Sequence, residues 1–233
     1  MSTFILNIDC SLETAFVSIT EDGNTIASRI SLTQKEHAGF IHTAIQELIE
    51  EVSIDLKSIH GIGVTIGPGS YTGLRVALAT AKGFAYALSV PMVVTSTLEM
   101  MAYAAIEATN QTATTDSYFV PLIDARRMEV FTAVYNKHLQ LIQEAQSLVL
   151  DSQSFLGMPQ KNQLYFFGSG AQKFEMICSN SHHCFLNNLS YVSSLGHLSH
   201  SKFTSGLFAE IAHCEPLYVK EFFNGTAKKN NDL

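Results

Sequence analysis

Basic residues are scarce in this chain of 233 amino acids. It has 14 lysines and arginines against 21 aspartates and glutamates, so its formal net charge is −7. A protein that grips nucleic acid by itself presents a basic face. The basic residues here are scattered, and the one cluster near a terminus is Lys228-Lys229. Unless distant residues assemble a basic patch, the composition argues against direct binding of nucleic acid.

Cysteines and long apolar runs are scarce as well. The cysteines have no CxxC spacing, which argues against a disulfide framework and favours reduced thiols of a cytosolic protein. No apolar run reaches the ~18 residues of a membrane-spanning helix. The first residues, MSTFILNIDC, lack the basic region and the cleavage site of a secretory signal. We therefore expect a cytoplasmic protein with no membrane association. The cysteines are Cys10, Cys178, Cys184 and Cys214.

The first half of the chain alternates between strands and helices. Hydrophobic residues make up 46% of the chain and charged residues 15%, as in a packed globular protein. Apolar runs and β-rich segments predict strands at 4–8, 14–20, 25–31, 59–66 and 91–94. Helical spacing of apolar residues predicts helices at 41–52, 71–88 and 97–108. This order, a hairpin followed by crossover units, indicates an α/β fold.

The second half is less regular. A polar, threonine-rich segment at 110–116 is interpreted as the boundary between a first lobe, residues 1–109, and a smaller second lobe, residues 110–233. Three further strands are predicted at 118–124, 128–135 and 139–150. From residue 178 to residue 200 the sequence is rich in Ser, His and Asn and loses its periodicity, so it predicts no element there.

The segment GPGSYTGLR, Gly67 to Arg75, lies between a predicted strand and a predicted helix. Glycines permit tight backbone geometry, and a helix N-terminus offers free N–H groups and the positive end of the helix dipole. Ser70 or Thr72 is suited to cap the helix. The segment matches neither the P-loop nor GxGxxG. It is either an anion-binding turn or a structural or interface turn. The candidate anion-binding residues are Gly67, Gly69, Ser70, Thr72 and Arg75.

The helix at 71–88 is apolar on two faces. Leu74, Leu78 and Ala81 lie on one of them, which fits packing on a sheet. The opposite face is covered either by the second lobe or by another chain, and its small residues favour close approach of a partner helix. The helix at 41–52 is expected to extend that surface. The candidate interface residues are Val76, Ala79, Gly83, Ala87, Ile41 and Ile45.

Several of these segments together resemble the TsaB (YeaZ) family. They are IDCSLE after the first strand, GPGSYTGLR, ATAKGFAYAL, STLEMM and LIDARRMEVFTAVY, with a weaker likeness in EPLYVKEF near the end. The resemblance covers about residues 4–135. It implies an actin-like (ribonuclease H-like) α/β fold of two lobes, the second reduced. It also implies a non-catalytic subunit that supports formation of N6-threonylcarbamoyladenosine at position 37 of tRNA.

The same resemblance implies the partners. They are TsaD, a catalytic paralogue, and TsaE, a small ATPase, with tRNA reached only through the complex. A homodimer is expected when the partner is absent. In actin-like kinases an acidic residue at the position of Asp9 organises metal and phosphate, and a glycine-rich turn follows it. The turn from Cys10 to Thr14 has no glycine and adds Glu13, so the phosphate loop is predicted to be lost. ATP or ADP is expected only at a partner interface.

The catalytic paralogue has a His-x-x-x-His metal site on the helix that follows the second crossover. Thr97 and Met101 stand at those positions here, and neither is a credible ligand for zinc or iron. No metal and no catalytic residue are therefore expected. The alternatives are a stand-alone actin-fold phosphotransferase that uses Asp9 and a metallopeptidase-like enzyme.

Two polar clusters remain open in the sequence. The first, a metal site in a loop or simply a surface loop, consists of His182, His183, Cys184, His197 and His200. The second, a solvated turn with local ion pairs or a contact for a partner or nucleotide, consists of Asp124, Arg126, Arg127 and Glu129. A further pair, His37 and His42, lies about 140° apart around a helix and is not suited to share a metal.

Overall fold

Two five-stranded sheets form the frame of the protein. The computed structural model describes residues 2–32, 37–159, 162–180 and 183–219. The first sheet contains β1 (Phe4–Asp9), β2 (Ala15–Glu21), β3 (Asn24–Ser31), β4 (Ile59–Gly67) and β5 (Met92–Ser96). The second contains β6 (Tyr118–Asp124), β7 (Glu129–Asn136), β8 (Leu141–Val149), β9 (Leu164–Phe167) and β10 (Cys184–Leu186). The helices are α1 (His37–Val52), α2 (Tyr71–Leu88), α3 (Thr97–Ala108), α4 (Ala171–Glu175) and α5 (Val192–Thr204).

The first sheet has the order β3-β2-β1-β4-β5. Strands β1, β2 and β3 form an antiparallel meander, and β4 and β5 add in parallel after the crossover helices. The β2–β3 turn bends through Asp22 and Gly23, which both have positive φ, as expected for an Asp-Gly hairpin. Alternate residues such as Leu6, Ile8 and Val64 are buried in one apolar cluster with residues of α1 and α2.

The opposite face of this sheet mixes small and polar residues with apolar ones such as Phe16, and α5 covers it. A Cβ on Gly63 would lie 2.2 Å from Ser199 Oγ and 2.3 Å from Asn7 Oδ1, so only glycine lets α5 approach β4 this closely. Lys202 of α5 fastens the helix further through an ion pair with Glu99 of α3 at 2.6 Å. The last described helix therefore returns from the second half of the chain to the first sheet.

The second sheet has the order β10-β9-β6-β7-β8. Its two faces bury separate apolar clusters, one around Phe119 and Phe167 and the other around Phe166 and Phe174. The first of these clusters includes Leu98 and residues of α3, so α3 joins the two sheets.

The sequence predictions for the elements up to β8 are confirmed, with bounds that agree within one or two residues except at α1, which begins four residues earlier than expected. The short elements β9, α4 and β10, and the helix α5, were not predicted. The division into lobes at residue 109 stays a prediction. The helix α5 comes after that boundary in sequence but packs on the first sheet. No helix in the described ranges is long and apolar enough to cross a membrane. The cytoplasmic location stays a prediction.

Gly63→Ala is expected to lower the free energy of unfolding by about 1–3 kcal/mol, because the added methyl group overpacks the contact between β4 and α5. The measurement is urea unfolding followed by circular dichroism. Gly83→Ala is the matched control: a Cβ there meets nothing within 4 Å. Replacing a glycine within a helix by alanine should raise stability by about 0.5–1 kcal/mol. Equal stability of both variants would contradict the close approach of α5.

Candidate functional site

An open cleft of about 1370 Å³ lies between the two sheets. Its first wall is the turn at 11–14 and the start of α2 at 69–73, and its second wall is the turn at 124–127 with Lys173 and residues 186–189. Ligand-binding clefts of proteins usually have volumes of about 300–1,000 Å³, so this one is large and open. What it can do depends on which polar groups face it.

Asp9 lies beneath the first wall and is 1% exposed. Its Oδ1 accepts hydrogen bonds from the Ser11 N–H at 3.1 Å, from the Ser11 hydroxyl at 2.5 Å and from the Thr65 hydroxyl. Burial, together with the nearby charge of Asp9, raises the pKa of Tyr191 to about 12. The carboxylate thus fastens the end of β1 to β4 and holds the following turn. It does not line the cleft.

The glycines of GPGSYTG press the start of α2 against that same turn. A Cβ on Gly69 would lie 2.1 Å from the Ser11 carbonyl oxygen, and one on Gly73 would lie 2.0 Å from the Cys10 carbonyl oxygen. The Ser70 N–H donates to the Ser11 carbonyl at 2.7 Å. Ser70 Oγ accepts from the Gly73 N–H at 3.3 Å, so the predicted cap is confirmed for Ser70. The glycines therefore have a packing role, and the Ser70 amide is already occupied.

Arg75 is engaged outside the cleft. Its guanidinium lies 4.2 Å from the centre of the Tyr71 ring, and its Nε donates to the Tyr218 hydroxyl at 2.9 Å. Gly67, with φ of 120°, makes room for the Leu217 carbonyl, which a Cβ would approach to 2.7 Å. Arg75 holds the C-terminal segment onto α2, Gly67 gives it room at the end of β4, and neither residue lines the cleft. Among the candidate anion-binding residues, those that line the cleft are Gly69, Ser70 and Thr72.

Most charged side chains that line the cleft lie on its second wall. Asp124 pairs with Lys173 at 2.6 Å and accepts from the Arg126 N–H at 2.6 Å. Partial burial would raise the pKa of Asp124, but these two hydrogen bonds outweigh it and lower the pKa below its ordinary value. Arg126 and Arg127 are exposed and have positive φ values of 74° and 49°. The ion-pair partner of Asp124 comes from α4 and not from the turn, so the solvated turn and the contact for a partner or nucleotide both stay predictions.

The histidines and cysteines do not gather in one cluster of the described residues. The described residues contain no group of three or more His, Cys, Asp or Glu that could hold a metal. His183 contacts Cys178, His197 lies beside Tyr103, and His200 packs against Gly23. His183, His197 and His200 thus have separate surroundings, and His182 lies outside the described residues, so the metal loop is not tested with all its members. The side chain of His37 lies outside the described residues too. Thr97 and Met101 are fully buried on α3.

The outer face of α2 is exposed. Ala79, Gly83 and Ala87 are open to solvent, Val76 is half-buried, and Tyr86 is 82% exposed. The described part of the chain does not cover this face, because a Cβ on Gly83 meets nothing within 4 Å. Tyr86 was missed in the sequence, although it follows Gly83 by three residues and so falls on the same stripe.

The assignment of Ile41 and Ile45 to this surface is wrong. They are 0% and 4% exposed and belong to the core beneath the first sheet. The apolar stripe of α1 faces the sheet, and α1 presents polar residues such as His42 and Thr43 instead. His42 lies beside Phe84 of α2, with ring centres 6.2 Å apart.

The family described as "TsaD: tRNA N6-adenosine threonylcarbamoyltransferase" matches residues 23–213. The tRNA threonylcarbamoyladenosine biosynthesis protein TsaB of Bacillus subtilis (strain 168) is 30% identical over 140 residues, 60% of this chain and 58% of that protein. TsaB of Escherichia coli (strain K12) is 32% identical over 133 residues, 57% of this chain and 55% of that protein. The chain thus spans little more than half the length of these relatives.

A solved structure of YeaZ from Pseudomonas aeruginosa superposes with a TM-score of 0.75 at 22% identity, and the match covers 93% of this chain and 99% of that one. Together with the two five-stranded sheets, this match shows that the chain has the α/β fold of YeaZ. The chain belongs to the threonylcarbamoyltransferase family and, within it, to the TsaB (YeaZ) proteins.

Asp9→Asn is expected to lower the free energy of unfolding by about 1.5–3 kcal/mol, because the buried hydrogen bonds of the charged carboxylate are weakened. Glu13→Gln, an exposed carboxylate of the same loop, is the control and should change stability by less than about 0.5 kcal/mol. Urea unfolding at neutral pH measures both. If Asp9→Asn is as stable as the unaltered chain, the structural role of this carboxylate is refuted.

Proposed function

We propose that this chain is a non-catalytic subunit of the complex that makes N6-threonylcarbamoyladenosine at position 37 of tRNA. In this proposal it binds TsaD, the catalytic paralogue, through the outer face of α2. The observation that carries the proposal is the exposed stripe of Ala79, Gly83 and Ala87 with Tyr86 at its edge. Small residues let a partner helix come close, and an exposed tyrosine is a typical interface anchor. The names of the relatives support the pathway.

The proposed non-catalytic role rests on the residues at the positions where related enzymes would hold a metal or a phosphate. The Asp9 carboxylate is buried and accepts hydrogen bonds from Ser11 and Thr65, which argues against a metal organiser for phosphoryl transfer. Thr97 and Met101, at the positions of the paralogue's metal ligands, are buried and poor ligands. These features argue against the phosphotransferase and metallopeptidase alternatives. ATP hydrolysis or metal-dependent proteolysis by the pure protein would favour one of them.

The remaining partners follow from the same proposal. TsaE would join through the complex, and tRNA would be reached through the partner, which suits the net charge of −7. Without TsaD, the exposed face of α2 would pair with a second copy of the chain. ATP or ADP would bind only where a partner completes a site, and Thr72 at the mouth of the cleft is the residue best placed for it. The chain would act in the cytoplasm.

Gly83→Glu is expected to lower the affinity for TsaD at least 100-fold while the fold is retained. The side chain puts bulk and an unpaired charge into a close helix contact, which costs about 2.8 kcal/mol or more. In the free chain the position is open, so thermal unfolding should change little. Titration calorimetry with TsaD measures the affinity.

The matched control is Val149→Glu, an exposed apolar residue (66%) of β8 on the second sheet, which should leave the affinity unchanged. Equal affinity of Gly83→Glu and the unaltered chain would place the interface elsewhere. Loss of folding without a selective loss of binding would mean that the face packs within this chain.

The isolated chain is expected to bind ATP no more tightly than roughly millimolar, about −4 kcal/mol. The Ser70 amide already donates to Ser11, and Arg75 is held by Tyr71 and Tyr218, so the segment at 67–75 has few donors left for a phosphate. Calorimetry with and without Mg²⁺ tests this. Micromolar binding by the isolated chain would refute it, whereas micromolar binding only in the complex with TsaD would agree with a site completed by the partner.

A further inference from the structure

Three side chains at the outer edge of the second sheet form an ordered constellation. Cys178 Sγ lies 3.0 Å from His183 Nδ1, and the other ring nitrogen, Nε2, lies 3.2 Å from Asn180 Nδ2. The Cys178 N–H donates to the Phe174 carbonyl at 2.8 Å, which extends the end of α4. A thiol, an imidazole in hydrogen-bonding reach and an amide that orients the imidazole are the three parts of an activated nucleophile.

The surroundings hold these groups in place. The His183 ring packs against Phe166 and Phe174, with ring centres 5.0 Å and 6.0 Å apart. The His183 N–H also donates to the Asn180 carbonyl at 3.3 Å. An amide can present either its nitrogen or its oxygen to a ring nitrogen. Asn180 can therefore serve both the neutral imidazole and the imidazolium that forms when His183 takes the thiol proton.

Among the cysteines, Cys178 alone has an imidazole partner in the described part of the chain. Cys10 is fully buried, and burial raises its pKa far above the ordinary value. Burial likewise raises the pKa of Cys214. Cys184 is half-exposed like Cys178, but its sulfur contacts the Gln163 side-chain amide at 3.0 Å, which cannot take a proton. Accessible thiols beside a histidine are the reactive ones.

We propose that Cys178, His183 and Asn180 form a reactive-thiol site that exchanges with small disulfides. His183 takes the proton of Cys178, and the thiolate attacks one sulfur of the disulfide R–S–S–R. A bond forms between the Cys178 sulfur and that sulfur while the S–S bond of the reagent breaks. The departing R–S⁻ takes from His183 the proton that came from Cys178 and leaves as the thiol R–SH. Cys178 then carries an –S–R group in a mixed disulfide, which is reversible. This site is independent of the interface on α2.

The test uses the full-length, reduced protein and 2-hydroxyethyl disulfide, an uncharged probe. Samples are quenched in acid over time, digested and analysed by mass spectrometry, so that the rate is obtained for each cysteine. Cys178 is expected to react at least about tenfold faster than Cys184 in the native protein. The same comparison in urea should give similar rates, because the constellation exists only in the folded chain. Equal native rates would overturn the proposal.

His183→Phe is the matched variant, because it keeps an aromatic ring against Phe166 and Phe174 but has no nitrogen. It should slow Cys178 by about tenfold and leave Cys184 unchanged. Asn180→Ala, which leaves the ring in place, should slow Cys178 less and serves as the second variant if His183→Phe does not fold. Unchanged reactivity of Cys178 in a folded variant that lacks the imidazole would overturn the proposal.

Discussion

The contact between the start of α2 and the turn after β1 fixes the position of α2 on the first sheet, and the cleft and the exposed face of α2 both depend on that position. Gly69 and Gly73 lie so close to the Ser11 and Cys10 carbonyls that a single methyl group at either position would collide with backbone. Asp9, beneath the turn, ties it to Ser11 and Thr65. These contacts occupy the Asp9 carboxylate and the Ser70 amide within the fold. They set α2 against the apolar face of the first sheet and leave its other face open.

The first sheet offers two faces of different character, and each selects its own helices. The apolar face packs against α1 and α2. The other face is lined by Asn7, Ser18 and the glycines of β4, and it accepts α5, whose buried residues include Ser194, Gly196 and Ser199. Close packing of small groups at β4 is joined there by the larger side chains of Phe16, Leu195 and Leu198. As a result the second half of the chain is bound to the first at two places, through α3 and through α5.

Local pattern predicted the elements through β8, because each has a clear apolar period or a turn signal at its end. It failed at α5, where Ser199 is buried because β4 presents a glycine to it. A contact between residues 63 and 199 has no local signal in the sequence. Ile41 and Ile45 show the same limit of local pattern. Their spacing identified the apolar stripe of α1, but it does not say whether that stripe faces the core or a partner. The pairs Asp124–Lys173 and Cys178–His183 depend on tertiary placement as well. The exposed face of α2 could be predicted, because the helical spacing of its small residues is enough to place them on one face.

The most direct test of the proposed contact between the open face of α2 and TsaD is hydroxyl-radical footprinting of Tyr86. Its side chain is 82% exposed in the free chain, and Met176, at 73%, provides an exposed reference on the second lobe. In a saturated complex with TsaD, the account predicts that oxidation of Tyr86 falls several-fold while oxidation of Met176 stays the same. Oxidation of Tyr86 at its free rate in that complex would contradict the account.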